Sequence, residues 1–190
     1  HNSSHIGDTV GVSIGPHSHE RPSVAYVHFD SVGANTFPYD TWRDDGGAWL
    51  TEKTPVPCKG YLQMAIAHLD RPQISCATPQ GPIYAIRDNS TWSWQAIEIN
   101  RFAGKATDIA VDAQNRPHII YEQIGAGIES GSAITPYKAK YATLVNGAWS
   151  IESVDPLNQG AGFQGTNHYP RSAAHCKTRE YCRPHFHFPG

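Results

Sequence analysis

Charged side chains are scarce in this 190-residue chain: Asp, Glu, Lys and Arg make up 17% of it, against about 25% in an ordinary soluble domain. The two signs nearly cancel, leaving a net charge of −2 at pH 7 and a pI of about 6.6. Such balance offers no electrostatic footprint for nucleic acid or for an anionic membrane surface. Methionine occurs once, as Met64. No apolar run approaches the ~20 residues a membrane-spanning helix needs, and no secretory-leader pattern opens the chain, so no membrane span is expected. The start, His1-Asn2-Ser3-Ser4, reads as a processed mature terminus or as the remnant of an added sequence.

Catalytic and cofactor signatures are missing too. The metalloprotease HExxH, the Walker A loop, GxGxxG and the EF-hand loop do not occur. Without a CxxC spacing a structural zinc site is not expected. The SxDxGxxW turn of sialidase-type propellers is also absent; Asp112-Ala113-Gln114-Asn115 stands in a comparable turn without matching it. A single GxSxG, Gly11-Val12-Ser13-Ile14-Gly15, falls inside a predicted β hairpin. A nucleophile elbow needs a strand before it and a helix after it, so this is a chance match. No enzyme is indicated.

What the chain does contain is Gly 17, Pro 14, five Trp, nine Tyr, six Phe and eleven His. Gly and Pro exceed their usual combined share of about 12%. With many aromatics and few long charged side chains, this composition predicts a turn-rich β protein and no helix bundle. The four cysteines, Cys58, Cys76, Cys176 and Cys182, suit an oxidising compartment and two disulfides, for which three connectivities exist. Cys58–Cys76 and Cys176–Cys182 are the expected pairs because each lies within one local unit. An extracellular or outer-surface location follows as the expectation. Asn2 and Asn89 begin Asn-x-Ser/Thr matches, which matter only where the source glycosylates.

The sequence repeats itself. Arg-Pro recurs in similar company in segments 11–30, 62–78, 107–123 and 171–188. Each reads as a short apolar strand, a polar turn, Arg-Pro and a second alternating strand. Proline suits a strand's start because it cannot donate to an interior ladder. Alternating strands 82–88 and 138–145 precede Trp-bearing segments 90–99 and 146–155, and a third such segment spans 46–54. The repeat approaches the period of about 40–50 residues found in β-propeller blades. The expected fold is therefore all-β: repeated four-stranded antiparallel units, propeller-like but incomplete, with long loops. A single domain, 1–190, would hold units at approximately 8–56, 60–100, 105–155 and 168–188. Stretches 31–45, 124–137 and 156–170 read as loops.

Histidine gathers in two registers of this repeat. His68 and His175 stand at the end of the first strand, where the third copy has Asp112. His118 and His185 follow Arg-Pro, where other copies have Ser23 and Gln73. Both registers flank the same turn and so lie at one end of the units. Trp92 and Trp94 start the fourth strand at that end and, alternating, share a face. Neutral imidazole is a common ligand for copper, zinc and nickel, so these histidines are candidate metal ligands. The competing expectation is that each His caps its turn by hydrogen bonding. The clusters His17-Ser18-His19 and His185-Phe186-His187 can also be simply solvated.

These features together resemble the secreted copper-binding proteins of methane-oxidising bacteria, the MopE and CorA type. The likeness rests on the compact His- and Trp-containing β chain, the processed-looking terminus and the pair His68 and His118 on neighbouring repeats. It implies a single Cu(I) held by two histidines and a kynurenine derived from tryptophan, for copper capture at the cell surface. His68 and His118 would be the ligands, Trp92 or Trp94 the oxidised residue, and Asp70 or the backbone the acceptor that orients an imidazole. The larger family member has its modified Trp two residues before a ligand His; no Trp-x-His occurs here, which leaves Trp92 and Trp94 both open.

Two other functions compete. One is a carbohydrate-binding module using Trp42, Trp49 or Tyr39 as platforms near Asp40 and Asp44, against which stands the expectation that Trp49, Trp94 and Trp149 are core residues. The other is a copper oxygenase with an N-terminal histidine brace at His1. The expected partners are a copper ion and a cell surface, with no nucleic acid.

Overall fold

The computed structural model describes residues 5–14, 22–29, 36–56, 58, 60–68, 71–123, 138–154, 173–178 and 181–185. Among these it is all-β, without a helix, and fourteen strands follow one another along the chain. The first sheet holds β1 (His5–Ile14), β2 (Pro22–Phe29), β3 (Thr36–Arg43) and β4 (Trp49–Lys53). The second holds β5 (Gly60–Ala67), β6 (Arg71–Thr78), β7 (Gly81–Asp88) and β8 (Thr91–Ala96). The third holds β9 (Ala103–Val111), β10 (Pro117–Gln123), β11 (Lys138–Val145) and β12 (Ala148–Ser153), and a hairpin of β13 (Ala173–Thr178) and β14 (Tyr181–His185) follows. Every sheet is an antiparallel meander with its strands side by side as they follow in the chain, and among the described residues none closes on itself.

Local chemistry explains the tight corners. Asn146 and Gly147, both at positive φ (51° and 80°), make the two-residue connection between β11 and β12, the turn whose twist suits a hairpin. Between β3 and β4, the Asp44 carboxylate accepts the Ala48 N–H at 2.8 Å. Asp112 does the same work after β9, its Oδ1 accepting the N–H groups of Gln114 and Arg116 at 2.9 Å each.

One expected loop is a strand. Stretch 31–45, read as irregular from its Gly, Asn and Pro content, contains β3, which pairs with both β2 and β4. Pro38 sits there at little cost. Its carbonyl accepts the Thr54 N–H on the β4 side, beyond the last ladder pair, Tyr39 with Lys53, so its missing N–H removes no ladder bond. Stretches 124–137 and 156–170 lie outside the described residues.

Two apolar cores flank the second sheet. Between it and the first sheet, Ala25 and Val27 meet Leu62, Met64, Ile74, Cys76, Ile83, Ala85 and Trp92. Between it and the third sheet, Tyr84, Ala65 and Ile86 meet Ile109, Ile119, Tyr121, Ala142 and Trp149. The second sheet is thus covered on both sides, and β6 is buried without interruption from Pro72 to Cys76, as a two-faced strand must be. Each fully buried aliphatic side chain here stabilises by about 1.5–3 kcal/mol relative to exposure. Cys58 and Cys76 form a disulfide that ties the segment after β4 into this first core. Cys176 and Cys182 stand directly opposite each other in the β13–β14 register; their side chains lie outside the described residues.

Candidate functional site

The sequence-derived candidates do not assemble at one point. His68 occupies the turn after β5, where its backbone N–H donates to Asn115 Oδ1 at 2.7 Å. Asn115 belongs to the turn between β9 and β10, and its carbonyl accepts from Gln73 Nε2 at 3.3 Å. The turns carrying the two histidine registers are therefore docked on each other. His118, one residue into β10, lies on the strand face opposite Ile119 and Tyr121, which pack toward the second sheet. Alternation thus turns its imidazole away from that sheet.

Both His118 ring nitrogens have partners. Nε2 lies 3.1 Å from Asp112 Oδ2 and Nδ1 lies 2.5 Å from the Tyr141 hydroxyl. Burial pushes the Asp112 carboxyl up, but hydrogen bonds from Arg116, His118 and Gln114 outweigh it and hold the group below the usual carboxylate range. An ionised carboxylate only accepts, so His118 Nε2 carries a proton toward Asp112; a ring protonated at Nε2 alone accepts from the Tyr141 hydroxyl at Nδ1. Tyr141 also stacks against the ring at 5.9 Å between centroids. Asp112, His118 and Tyr141 together strap the β9–β10 turn to β11, the turn-capping role weighed against metal ligation above.

The tryptophans face elsewhere. Trp92 is 8% exposed and belongs to the core between the first and second sheets; its indole N–H has no hydrogen-bond partner among the described residues. Trp94, two residues on and therefore on the same side of β8, is 51% exposed. Of the three tryptophans expected in the core, Trp149 packs there, edge-on to Tyr84 at 5.5 Å, whereas Trp49 and Trp94 stand half open. Trp49 and Trp94 lie on β4 and β8, beyond which the described residues place no further strand, although the same position leaves Trp92 on β8 and Trp149 on the outer strand β12 packed in the cores. His175 lies within β13 and faces Arg183, and His185 pairs with Ala173; their side chains, with His1, His17, His19, His187 and Asp70, fall outside the described residues. Among the described residues no three or more His, Cys, Asp and Glu side chains are grouped to share a metal ion.

A different constellation spans the first and second sheets. The Arg87 guanidinium, on β7, lies 4.3 Å from the ring centroid of Trp42 on β3, and its Nε lies 3.0 Å from Glu52 Oε2 on β4. Leu50 is opposite Trp42 in the ladder and 43% exposed. Trp94, opposite Ala85 in the β7–β8 ladder, lies on the same face of the second sheet as Arg87, two residues along β7. The result is a cation–carboxylate pair between the first and second sheets, with Trp42 stacked on the guanidinium. Behind it, Asp40 is opposite Glu52 and wholly buried. Trp49 and Tyr39, the other proposed platforms, lie on the far face of the first sheet: Trp49 is opposite Arg43 and Tyr39 stacks on Tyr26 at 5.6 Å. Asp44 serves its turn. Sequence reasoning missed Arg87, Glu52 and Leu50, since no local spacing links β4 to β7.

The sequence matches no family model, and no curated protein is significantly similar to it.

Proposed function

We propose that this chain is a non-enzymatic, extracellular carbohydrate-binding module whose ligand sits at the open edge between the first and second sheets. The observation that carries this reading is the half-exposed Trp94 on the face of the second sheet that bears Arg87, which is itself held by Trp42 and Glu52. An indole face gives apolar area to a sugar ring, and a guanidinium–carboxylate pair offers donors and acceptors to adjacent hydroxyls. Ligand sites of this kind combine apolar walls with a few placed polar groups. The buried disulfide supports life in an oxidising compartment. An incomplete propeller-like arrangement is supported by the packing of first strands in succession, β1 on β5, β5 on β9 and β9 on β13.

A glycan array followed by tryptophan-fluorescence titration tests the proposal. Trp94→Ala should weaken binding of the selected sugar at least tenfold while Trp49→Ala leaves it unchanged. An array negative across glycan classes, or equal losses at both tryptophans, would refute it.

The docking of the His68 turn on the His118 turn through Asn115 favours a second reading, copper(I) capture by these two residues. Imidazole suits copper, and Asp112 orients His118 as an outer-shell carboxylate does. Binding would require Tyr141 to release Nδ1, and Trp94 rather than Trp92 is open to an oxidant. Metal analysis and intact mass of natively produced protein separate the readings: copper at one per chain supports capture, and failure of the apoprotein to take up Cu(I) removes it.

A further inference from the structure

Asp40 is a carboxyl that the first core encloses without neutralising. It is 0% exposed. Oδ1 accepts from the Ser23 hydroxyl at 3.3 Å, and Oδ2 has no hydrogen-bond partner among the described residues. The cation facing it, Arg87, is already committed to Glu52 and to the Trp42 ring. From β4 it meets Glu52, a like charge. The sides of β5, β6 and β8 turned toward the first sheet present Met64, Ile74, Cys76 and Trp92, and none of these titrates there, Cys76 being disulfide-bonded. A buried carboxylate so placed is costly, and the same carboxyl in its neutral form is not.

We propose that proton uptake by Asp40 strengthens the packing of the first sheet on the second, so that this joint is held more firmly in a mildly acidic medium than in a neutral one. The inference does not depend on any bound ligand. Burial pushes the Asp40 carboxyl from 3.8 up to about 6, against the opposing pull of Arg87, the Ser23 hydroxyl and the Thr41 backbone N–H, with Glu52 adding to the rise. A folded-state value above the unfolded one means that the folded form holds the proton more tightly. The associated stability is fully present below the unfolded value and is lost as pH rises through the folded one.

Amide hydrogen exchange on the intact, metal-free chain reads the effect directly. After correction for intrinsic rates, opening of β2, β3 and β7 should be about tenfold more favourable at pH ~7.5 than at pH ~5, following linkage between those two carboxyl values. In Asp40→Asn, which keeps the shape and removes the charge, that step should vanish. A carboxyl NMR titration should place the Asp40 midpoint near 6, and Glu52→Gln should lower it. A midpoint near the ordinary value, a midpoint unmoved by Glu52→Gln, or a tenfold step persisting in Asp40→Asn would each overturn the proposal.

Discussion

Replacing both cysteines of the Cys58–Cys76 bridge by alanine should destabilise the fold by about 3 kcal/mol. The bond closes a sequence separation of 18 residues, and a loop of that size restricts the unfolded chain by about 11 cal/mol/K, or about 3 kcal/mol at 25 °C. In a chain of this length that corresponds to a fall in Tm of roughly 6–12 °C. Neither cysteine side chain reaches solvent, so the two alanines also remove buried sulfur from the first core and the loss should not be smaller. Urea unfolding followed by tryptophan fluorescence is a suitable assay, because Trp92 belongs to the same core and reports its opening. A loss below about 1 kcal/mol would refute the reasoning, since it would mean that the segment after β4 is confined equally well without the bond. Reductant added to the folded protein should cleave the bridge slowly, and only as fast as this core opens.

Two further substitutions probe how the sheets are joined. Glu98 accepts from Lys140 at 2.7 and 2.8 Å and from the Tyr121 hydroxyl at 2.6 Å, linking the segment after β8 to the third sheet. Burial raises its carboxyl, but these hydrogen bonds and one from Asn100 prevail and leave it below the usual range. Its contribution is therefore present above the unfolded value and lost as pH falls through the folded one; Glu98→Gln should lower stability by roughly 1–3 kcal/mol at neutral pH and flatten the acid limb of a pH–stability curve measured by urea unfolding. Gly81→Ala should cost at least ~2 kcal/mol, because φ there is +134° and a Cβ would stand 2.4 Å from the Glu98 carbonyl oxygen. A variant with an unchanged urea midpoint would show that the turn before β7 shifts freely.

Strand content and connectivity were legible because they rest on local pattern. Alternation in 82–88 and 138–145, Arg-Pro ahead of β6 and β10, and Asn-Gly between β11 and β12 act over a few residues. The strand β3 escaped because Pro38 argues against a strand wherever the side to which its missing N–H points is unknown. His68 and His118 flank turns, where the repeat put them, and Asn115 joins those turns. Whether His118 ligates or caps was not legible, since Tyr141 is 23 residues away and no spacing announces it.

Composition and short-range pattern were enough to expect an all-β chain with short hairpins and to favour a bridge between Cys58 and Cys76, and both are present. Which faces meet was left to the packing of the sheets. Alternation divides a strand's residues into two sets, but which set is covered depends on the neighbouring sheet. That is why Trp92 is enclosed while Trp94, on the same side of the same strand, is half open. It is also why the scarce charges acquire meaning. Arg87 and the pair Glu52 and Asp40 come from strands far apart in the chain, and packing two sheets face to face brings one cation near two carboxyls, the inner of which has an oxygen without a hydrogen-bond partner among the described residues.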